Sequence, residues 1–393
     1  MTIQLLVTDR NLNVLGDPIT GWTTLECELN FNKPASGAVT MPARQEYMEL
    51  LQSGNRLVVV RDGSIWCAGP LEEPQDYAWD LGQNAGGTVT ARFSDDLARI
   101  AGYLTYPDPT LDFESQTTTA DARWTRKSVN AELIIRALVN ENCGPGALPD
   151  RRIEQLVLAP VAGVGSTRAI STRFEPLLDV CRTAAAWSRL GFRTRQVGDE
   201  IQFEVYAPAD RTGIARFSAG LGNLRSVRFT MSAPTATSEL VMGGTDPAQQ
   251  VPSGEPPNER VYREVTSATV GDWWRVEKLL QESGKDDADG ELTQAGTRAL
   301  GTDAPQASLA TVTVDTEDLR AGRDYGLGDK VAVVLPTGLQ ISDIVQTIRL
   351  EATPEEGELV TTVVGTNDKT TLTRTVWTVR DLAYRLGQIE GRG

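Results

Sequence analysis

The sequence predicts a mainly β fold of the α+β class, two small β-barrels with α/β segments inserted between them. Three observations carry that expectation. Residues 1 to about 105 read mainly as strands, and strands return in force beyond residue 310. Between these stretches, residues 106–220 show helical periodicity followed by a hairpin pattern. Finally, one short segment near the start has a counterpart about 270 residues later.

The opening MTIQLLVTDRNLNVL reads as a strand beginning almost at residue 1. It lacks a basic n-region and a cleavage site, so no signal peptide is expected. Leu57–Val60 and Ile65–Ala68 flank Arg61-Asp62-Gly63-Ser64, and Asp-Gly is a strong hairpin signal because both turn residues need positive φ. Thr88–Phe93 alternates as a strand, and a short helix is expected from Asp95 to Ile100.

In the α/β stretch, Ser128 is placed to cap a helix whose apolar face carries Leu133, Ile134, Ala137 and Leu138, ending near Gly144. Phe174, Leu177, Leu178, Cys181 and Ala185 mark a second helix, with Gly191 as its expected C-cap. Strands at Phe192–Gln196 and Ile201–Tyr206 should turn at Gly198-Asp199.

Further strands are expected at Leu224–Met231, Ser238–Met242, Ala310–Val314, Lys330–Leu335, Ile341–Leu350 and Leu359–Val364, several rich in β-branched residues. Asp246–Asn258 and Ser283–Gly290 read as polar loops, and Leu292–Leu300 as a short helix.

The internal match pairs Gly54-Asn55-Arg56-Leu57-Val58-Val59-Val60, running to Gly63, with Gly328-Asp329-Lys330-Val331-Ala332-Val333-Val334, running to Gly338. Each is a glycine turn, a polar and a basic residue, an apolar strand and a hairpin. A true repeat gives one chain two similar barrels; the shared grammar of hairpins gives the same match by chance. At the C-terminus, Val379, Leu382, Leu386 and Ile389 are spaced three, four and three, an a/d seam of about two heptads. That seam fits three things: a helix docked on its own domain, a trimer or tip-partner contact, and the root of a longer trimeric element.

Composition narrows the function. The chain has 393 residues, enough for two to four domains, and 40% hydrophobic residues, normal for a protein with several cores. No apolar run is long enough to span a bilayer. The net charge is −15 and the basic residues are scattered, which argues against sequence-specific nucleic-acid binding. The acidity serves solubility, or a surface that repels DNA as a conducting channel wall should.

The sequence contains no histidine. Ser-His-Asp and Cys-His catalysis, histidine acid–base chemistry and His-ligated metals are thereby excluded. Cys27, Cys67, Cys143 and Cys181 lack CxxC spacing and read as buried free thiols, although sequence alone leaves disulfides open.

Four motifs suggest chemistry and each reads better without it. Gly163-Val164-Gly165-Ser166-Thr167 lacks the lysine of a phosphate loop. Asp286-Asp287-Ala288-Asp289-Gly290 fails as a calcium loop, because Lys285 and Gly296 fall where ligands are required. Adjacent Trp273-Trp274 should face opposite sides of a strand, so that at most one joins a core. Asp95-Asp96 and Glu355-Glu356 read as surface carboxylates. No catalytic, metal or cofactor residue is therefore expected.

Four stretches, in order, resemble the tail-hub proteins of long-tailed phages, especially those of high-GC Gram-positive hosts. This is the siphovirus baseplate hub, also the N-terminal part of the tail-associated lysin. Asn32-Lys33-Pro34-Ala35-Ser36-Gly37 and the hairpin at Gly63 resemble the family's opening barrel. Leu177 to Pro208, with Gly191-Phe192-Arg193 and the hairpin ending Val205-Tyr206-Ala207-Pro208-Ala209-Asp210, resembles its α/β insertion. Gly222-Asn223-Leu224, Ala233-Pro234-Thr235-Ala236-Thr237 and Gly243-Gly244 resemble the start of a second barrel, and Tyr325 to Val331 its body.

The resemblance implies a phage tail-hub architecture: a first barrel at 1–105, an α/β insertion at 106–220, a discontinuous second barrel at 221–250 and 305–375, an inserted α/β segment at 251–304 and a C-terminal helix at 376–393. It also implies a non-enzymatic homotrimer at the tail tip of the virion, assembled in the host cytoplasm. Two barrels per chain would let a threefold ring meet a sixfold tube. The implied partners are a distal tail ring protein, a tape-measure protein and tip or fibre proteins, with no membrane span. Longer hubs continue into peptidase or receptor-binding regions, so wall cleavage and host recognition are expected of other proteins. Two alternatives stand beside this reading: a carboxylate-dependent glycan-active or glycan-binding cell-wall module, and the hub of a contractile tail-like injection system.

Overall fold

The computed structural model describes residues 3–365 apart from 81–85, 118–121, 245–246, 248–258, 272, 283–289 and 305–306. The expected C-terminal helix with Val379, Leu382, Leu386 and Ile389 lies outside the described residues, as do nearly all of the two expected polar loops. The chain divides into two compact units, Arg228–Leu309 forming the smaller and the remainder the larger.

The first β module comprises β1 (Ile3–Thr8), β2 (Val14–Ile19), β3 (Thr24–Asn30), β4 (Lys33–Pro42), α1 (Gln45–Leu50), β5 (Arg56–Arg61), β6 (Ser64–Ala78), β7 (Thr88–Ser94) and α2 (Leu97–Ala101). The α/β module follows as β8 (Trp124–Asn130), α3 (Ala131–Asn142), β9 (Leu156–Leu158), β10 (Thr167–Thr172), α4 (Leu177–Ala186), β11 (Gly191–Val197) and β12 (Glu200–Tyr206). Then come β13 (Arg216–Ser218) and β14 (Leu224–Met231), followed in the smaller unit by β15 (Ser238–Gly244), β16 (Arg260–Thr266), β17 (Glu277–Gln281) and α5 (Glu291–Asp303). The second β module is completed by β18 (Ala307–Val314), β19 (Lys330–Val334), β20 (Gln340–Thr353) and β21 (Gly357–Val364).

The mainly β class holds, and the internal match is a structural one. β6 pairs with β5 through Ser64–Pro70 and with β7 from Leu71 onward, its register slipping where the partner changes. β20 does the same, pairing with β19 through Gln340–Ile344 and with β21 from Val345 onward, with a slip at Val345/Thr347. Such bulges bend a strand and let one element belong to two sheets. β4 lies beyond β7 and β18 beyond β21, both antiparallel, so β4-β7-β6-β5 corresponds to β18-β21-β20-β19. The glycines at both ends of each apolar strand take positive φ: Gly54 (90°) and Gly63 (79°), Gly328 (81°) and Gly338 (89°). The likeness stops at the far edge, where β1 runs antiparallel to β5 but β13 parallel to β19.

Each module has its own core. Leu5, Leu25, Val39, Leu57, Val59, Val89 and Phe93 fill the first, and Phe217, Tyr325, Val331, Val333, Val345 and Val363 the second. Among the described residues the pairings form one open path, β14-β18-β21-β20-β3-β4-β7-β6-β5-β1-β2, with β19 and β13 branching from β20.

In the α/β module, α3 and α4 pack with a sheet of order β11-β12-β9 around Ile134, Leu138, Cys181, Phe192 and Phe203. Three local expectations need correction. Ser128 does not cap α3: it lies in β8, a strand that pairs with β10, and α3 begins only after Asn130, whose side chain accepts from the Glu132 amide at 2.8 Å. The buried face of α3 is Ile134, Ile135, Leu138 and Val139, while Leu133 is exposed. α4 ends at Ala186, and Arg189 (φ 53°) takes the left-handed position; Gly191 instead opens β11, where a Cβ would lie 2.3 Å from the Tyr206 ring.

The smaller unit is a three-stranded sheet, β16-β15-β17. α5 covers one face so closely that a Cβ at Gly296 would meet Val265 at 2.7 Å and Val241 at 2.8 Å. β16 and β17 carry no alternating apolar pattern, since Arg260–Thr266 and Glu277–Gln281 are mostly exposed.

Candidate functional site: the seam between two β modules

β3 pairs with β4 on one side and with β20 on the other, in register from Asn30↔Thr347 to Leu25↔Ala352. This pairing makes the two β modules one sheet. One face of the pair is apolar and buried: Leu25, Cys27, Ile348, Leu350 and Ala352. The other carries charge, with Arg349 Nη2 donating to Glu26 at 2.9 Å and Arg349 Nε within 2.9 Å of Glu351.

A second fastening comes from Arg61, the last residue of β5. It is only 7% exposed. Its guanidinium donates through Nε and Nη2 to the two carboxylate oxygens of Glu358, at 3.0 and 2.8 Å, and through Nη1 to the Ala321 carbonyl at 3.3 Å. Asp315 lies 3.6 Å from Nη2, and the Trp66 ring lies 4.8 Å from the guanidinium carbon. Asp315 also accepts from the Ala321 amide and from the Tyr325 hydroxyl, which in turn sits 2.9 Å from Thr362 Oγ1. Burial raises the Asp315 carboxyl above its ordinary range despite those donors. For Arg61 burial alone would lower the pKa, but the hydrogen bond and charge of Glu358, with Asp315, hold it above the ordinary value. The pair is thus ionised, bidentate and nearly dry, a geometry that fixes orientation as well as adding energy.

Backbone closes the seam. The Phe31 amide donates to the Gln346 carbonyl at 2.9 Å, and the Phe31 ring lies where a Cβ on Gly328 would sit, 2.3 Å away. Asn32, with φ 55°, joins the β3–β4 turn to the α/β module: its Nδ2 donates to the Leu190 carbonyl at 2.9 Å and its Oδ1 accepts from the Phe192 amide at 2.8 Å. Asp329 Oδ1 accepts from the Ala209 amide at 2.8 Å, and Tyr206 donates to the Leu327 carbonyl at 3.0 Å. Asn55-Arg56 and Asp329-Lys330, the matched polar pairs of the repeat, have different tasks. Lys330 stays exposed, whereas Arg56 is 2% exposed, bound through Nε to Asp96 at 3.2 Å and through Nη1 to Thr8 and Gln196 at 3.1 Å each.

The candidate chemical motifs fall into place as structure. In the Gly163–Thr167 loop, the amides of Ala162 and Val164 donate to the two Glu132 carboxylate oxygens at 2.7 and 2.8 Å, so a buried acid of α3 takes the place a phosphate would need. Asp95-Asp96 is not a surface pair: Asp96 is buried on Arg56, and burial lifts the Asp95 carboxyl to about 7. Glu355-Glu356 is exposed. Trp273 and Trp274 precede β17 rather than lying in a strand; they stack on each other at 3.9 Å and neither enters a core. Asp286–Asp289 lies outside the described residues. All four cysteines are buried free thiols. Among the described residues no cluster of acids and cysteines could hold a metal, and no helix is long and apolar enough to cross a membrane.

With this geometry in place, comparison with known proteins is direct. The family model for siphovirus ReqiPepy6 Gp37-like proteins matches residues 3–366. The chain belongs to that family. Solved structures agree with the fold of this Gp37-like protein. A 43 kDa tail protein of prophage MuSo2 from Shewanella oneidensis has a TM-score of 0.57 at 14% identity, covering 92% of this chain and 98% of its own. A tail protein from Neisseria meningitidis MC58 has 0.55 at 13% identity, with 93% and 97% covered. Prophage tail protein gp18 from Listeria monocytogenes EGD-e has 0.53 at 11% identity, with 96% and 99% covered. No curated protein matches. The Gp37-like protein thus shares the fold of these phage and prophage tail proteins.

Proposed function

We propose that the protein is the central hub at the tip of a long phage tail, three copies forming a ring that joins the sixfold tail tube to the tip and fibre proteins. The observation that carries this reading is the correspondence of β4-β7-β6-β5 with β18-β21-β20-β19. Three chains with two such modules each present six similar surfaces, the number a sixfold ring requires, and closed symmetry of this kind is the ordinary way to join rings. The seam is what makes the scheme mechanical, since modules tied by β3–β20 and Arg61–Glu358 keep a fixed spacing around the ring. Within it the acidic chain (−15 each, −45 for three) lines a channel that DNA and a tape-measure protein pass without adhering. A distal tail ring protein sits above, and assembly precedes release from the host cytoplasm.

The protein acts without catalysis in this reading; the lack of histidine and the structural roles of Glu132, Asp95 and Asp96 support it. The experiment is co-assembly of purified hub and tail-tube protein, imaged by electron microscopy. The expected result is a threefold density capping a sixfold tube; no density at the tube end would refute the role.

A further inference from the structure

In the smaller unit, two acids meet where the end of α5 reaches the sheet. Glu239, the second residue of β15, is 2% exposed, and its Oε1 is buried with no hydrogen-bond donor. Its register partners are Val265 in β16 and Lys278 in β17, on the face that α5 covers. Asp303, the last residue of α5, comes from the other side, its side chain 15% exposed. Its carboxylate accepts from the Lys278 ammonium at 2.5 Å and from the Thr235 hydroxyl, and its carbonyl accepts from the Thr235 amide at 2.9 Å. Glu239 and Asp303 are also hydrogen-bonded to each other. Two carboxyl groups can make that bond only if one of them carries a proton. The charges nearby require the same. One half-exposed ammonium, Lys278, faces two carboxyls and the negative end of the α5 dipole. The other charged side chains of these elements lie apart: Arg298 of α5 is exposed, and Arg263 of β16, opposite Val241, is exposed and donates to the Tyr262 carbonyl. Glu264 and Glu277 lie on the opposite face, where Arg275 holds both.

We propose that the proton between Glu239 and Asp303 is a pH-operated latch: held, it fastens the end of α5 to β15 and β17, and released, it lets that end lift from the sheet. The proton belongs to Glu239, the drier of the two. Burial and then the Asp303 carboxylate push Glu239 above the ordinary glutamate value, whereas the hydrogen bonds from Lys278 and Thr235 hold Asp303 below the ordinary aspartate value. Glu239, being raised, contributes fully below the ordinary glutamate range and loses its contribution as pH climbs through the raised value. Asp303, being lowered, loses its own contribution only as pH falls through its depressed value. The latch therefore opens on the alkaline side. Once open, two carboxylates face each other in a nearly dry site, where like charges repel far more strongly than in water. The buried Leu300, in the last turn of α5, then loses its cover together with the helix end. The latch is independent of the hub role, since it works within one unit of one chain.

The test is hydrogen–deuterium exchange of the full chain, read by mass spectrometry at peptides covering α5 and β15 from about pH 5 to about pH 9. Rates are corrected for the intrinsic pH dependence of exchange. Protection of α5 should be level in mild acid and then fall, by up to about tenfold per pH unit, once Glu239 ionises. Glu239→Gln, whose amide donates to Asp303 at every pH, should keep α5 protection level across the range. Asp303→Asn, whose amide donates to an ionised Glu239, should likewise abolish the alkaline loss. Either variant reads the latch should the other fail to fold. Asp95→Asn, in the larger unit, should leave the α5 step where it is. Wild-type α5 protection that does not change with pH overturns the proposal. So does an alkaline step that persists in either folded latch variant, or one that disappears in Asp95→Asn.

Discussion

Replacing Arg61 with alanine should be among the most destabilising changes in the larger unit. The substitution leaves Glu358 and Asp315, whose side chains are 11% exposed each, without their cation, and it removes the donor to the Ala321 carbonyl. Breaking a buried ion pair by deleting one partner costs about 3–5 kcal/mol, because the remaining charge is stranded. The Arg92–Glu73 pair at the β7–β6 edge is half-exposed, so Arg92→Ala should cost no more than about 1 kcal/mol. Urea unfolding followed by circular dichroism and by tryptophan fluorescence gives both values, and the larger loss should appear as a lower midpoint at unchanged slope. The signature is rescue: Arg61→Met combined with Glu358→Gln and Asp315→Asn removes all three charges and should recover most of the loss. If Arg61→Ala costs as little as Arg92→Ala, or if neutralising the acids brings no recovery, Arg61 does not fasten the seam.

Three further outcomes follow from the same geometry. Gly328→Ala places a methyl group against the Phe31 ring at a φ of +81°, and should cost about 2–4 kcal/mol by thermal unfolding, whereas Gly338→Ala, with open space around it, should show only the smaller backbone strain. Asn32→Ala removes two hydrogen bonds to the α/β module and should cost about 1–3 kcal/mol, with hydrogen exchange rising first at Leu190–Phe192. Asp95 is held near 7 by burial, above its unfolded value, so its contribution is full below about pH 4 and is lost as pH rises through 7. Asp95→Asn should flatten the stability profile between pH 4 and 8, with a gain at pH 8 of at most about 4 kcal/mol; an unchanged slope would show that Asp95 is not the titrating group.

Strands that alternate, or that end in strong turns, are legible in the amino-acid pattern. The Asp62-Gly63 and Gly198-Asp199 turns mark two hairpins because Asp62, Gly63 and Gly198 take positive φ values that admit few residues, and β12 shows its buried Ile201, Phe203 and Val205 in plain alternation. β16 and β17 have no such pattern, being mostly exposed. In α3 the apolar stripe is broad, running from Leu133 and Ala137 across Ile134 and Leu138 to Ile135 and Val139, so the pattern shows the helix but not which edge of the stripe is buried. The seam itself is only half legible. The repeat is visible at Gly54 and Gly328, and RLVVVR does flank an apolar strand with arginine at both ends. The partner of Arg61, however, lies 297 residues away at Glu358, and no local rule connects them. Asp95-Asp96 misleads for a similar reason, since adjacent acids are usually solvated and only Arg56, 40 residues earlier, buries Asp96.

The hub role depends most directly on the number of copies at the tail tip. Native mass spectrometry of the tip complex released from purified virions, paired with a reconstruction of the same region, counts them. The prediction is three chains of 42.6 kDa, about 128 kDa in all, closed into a ring whose two β modules per chain alternate around six positions. Six copies in the ring, or a single copy with no ring, would contradict it.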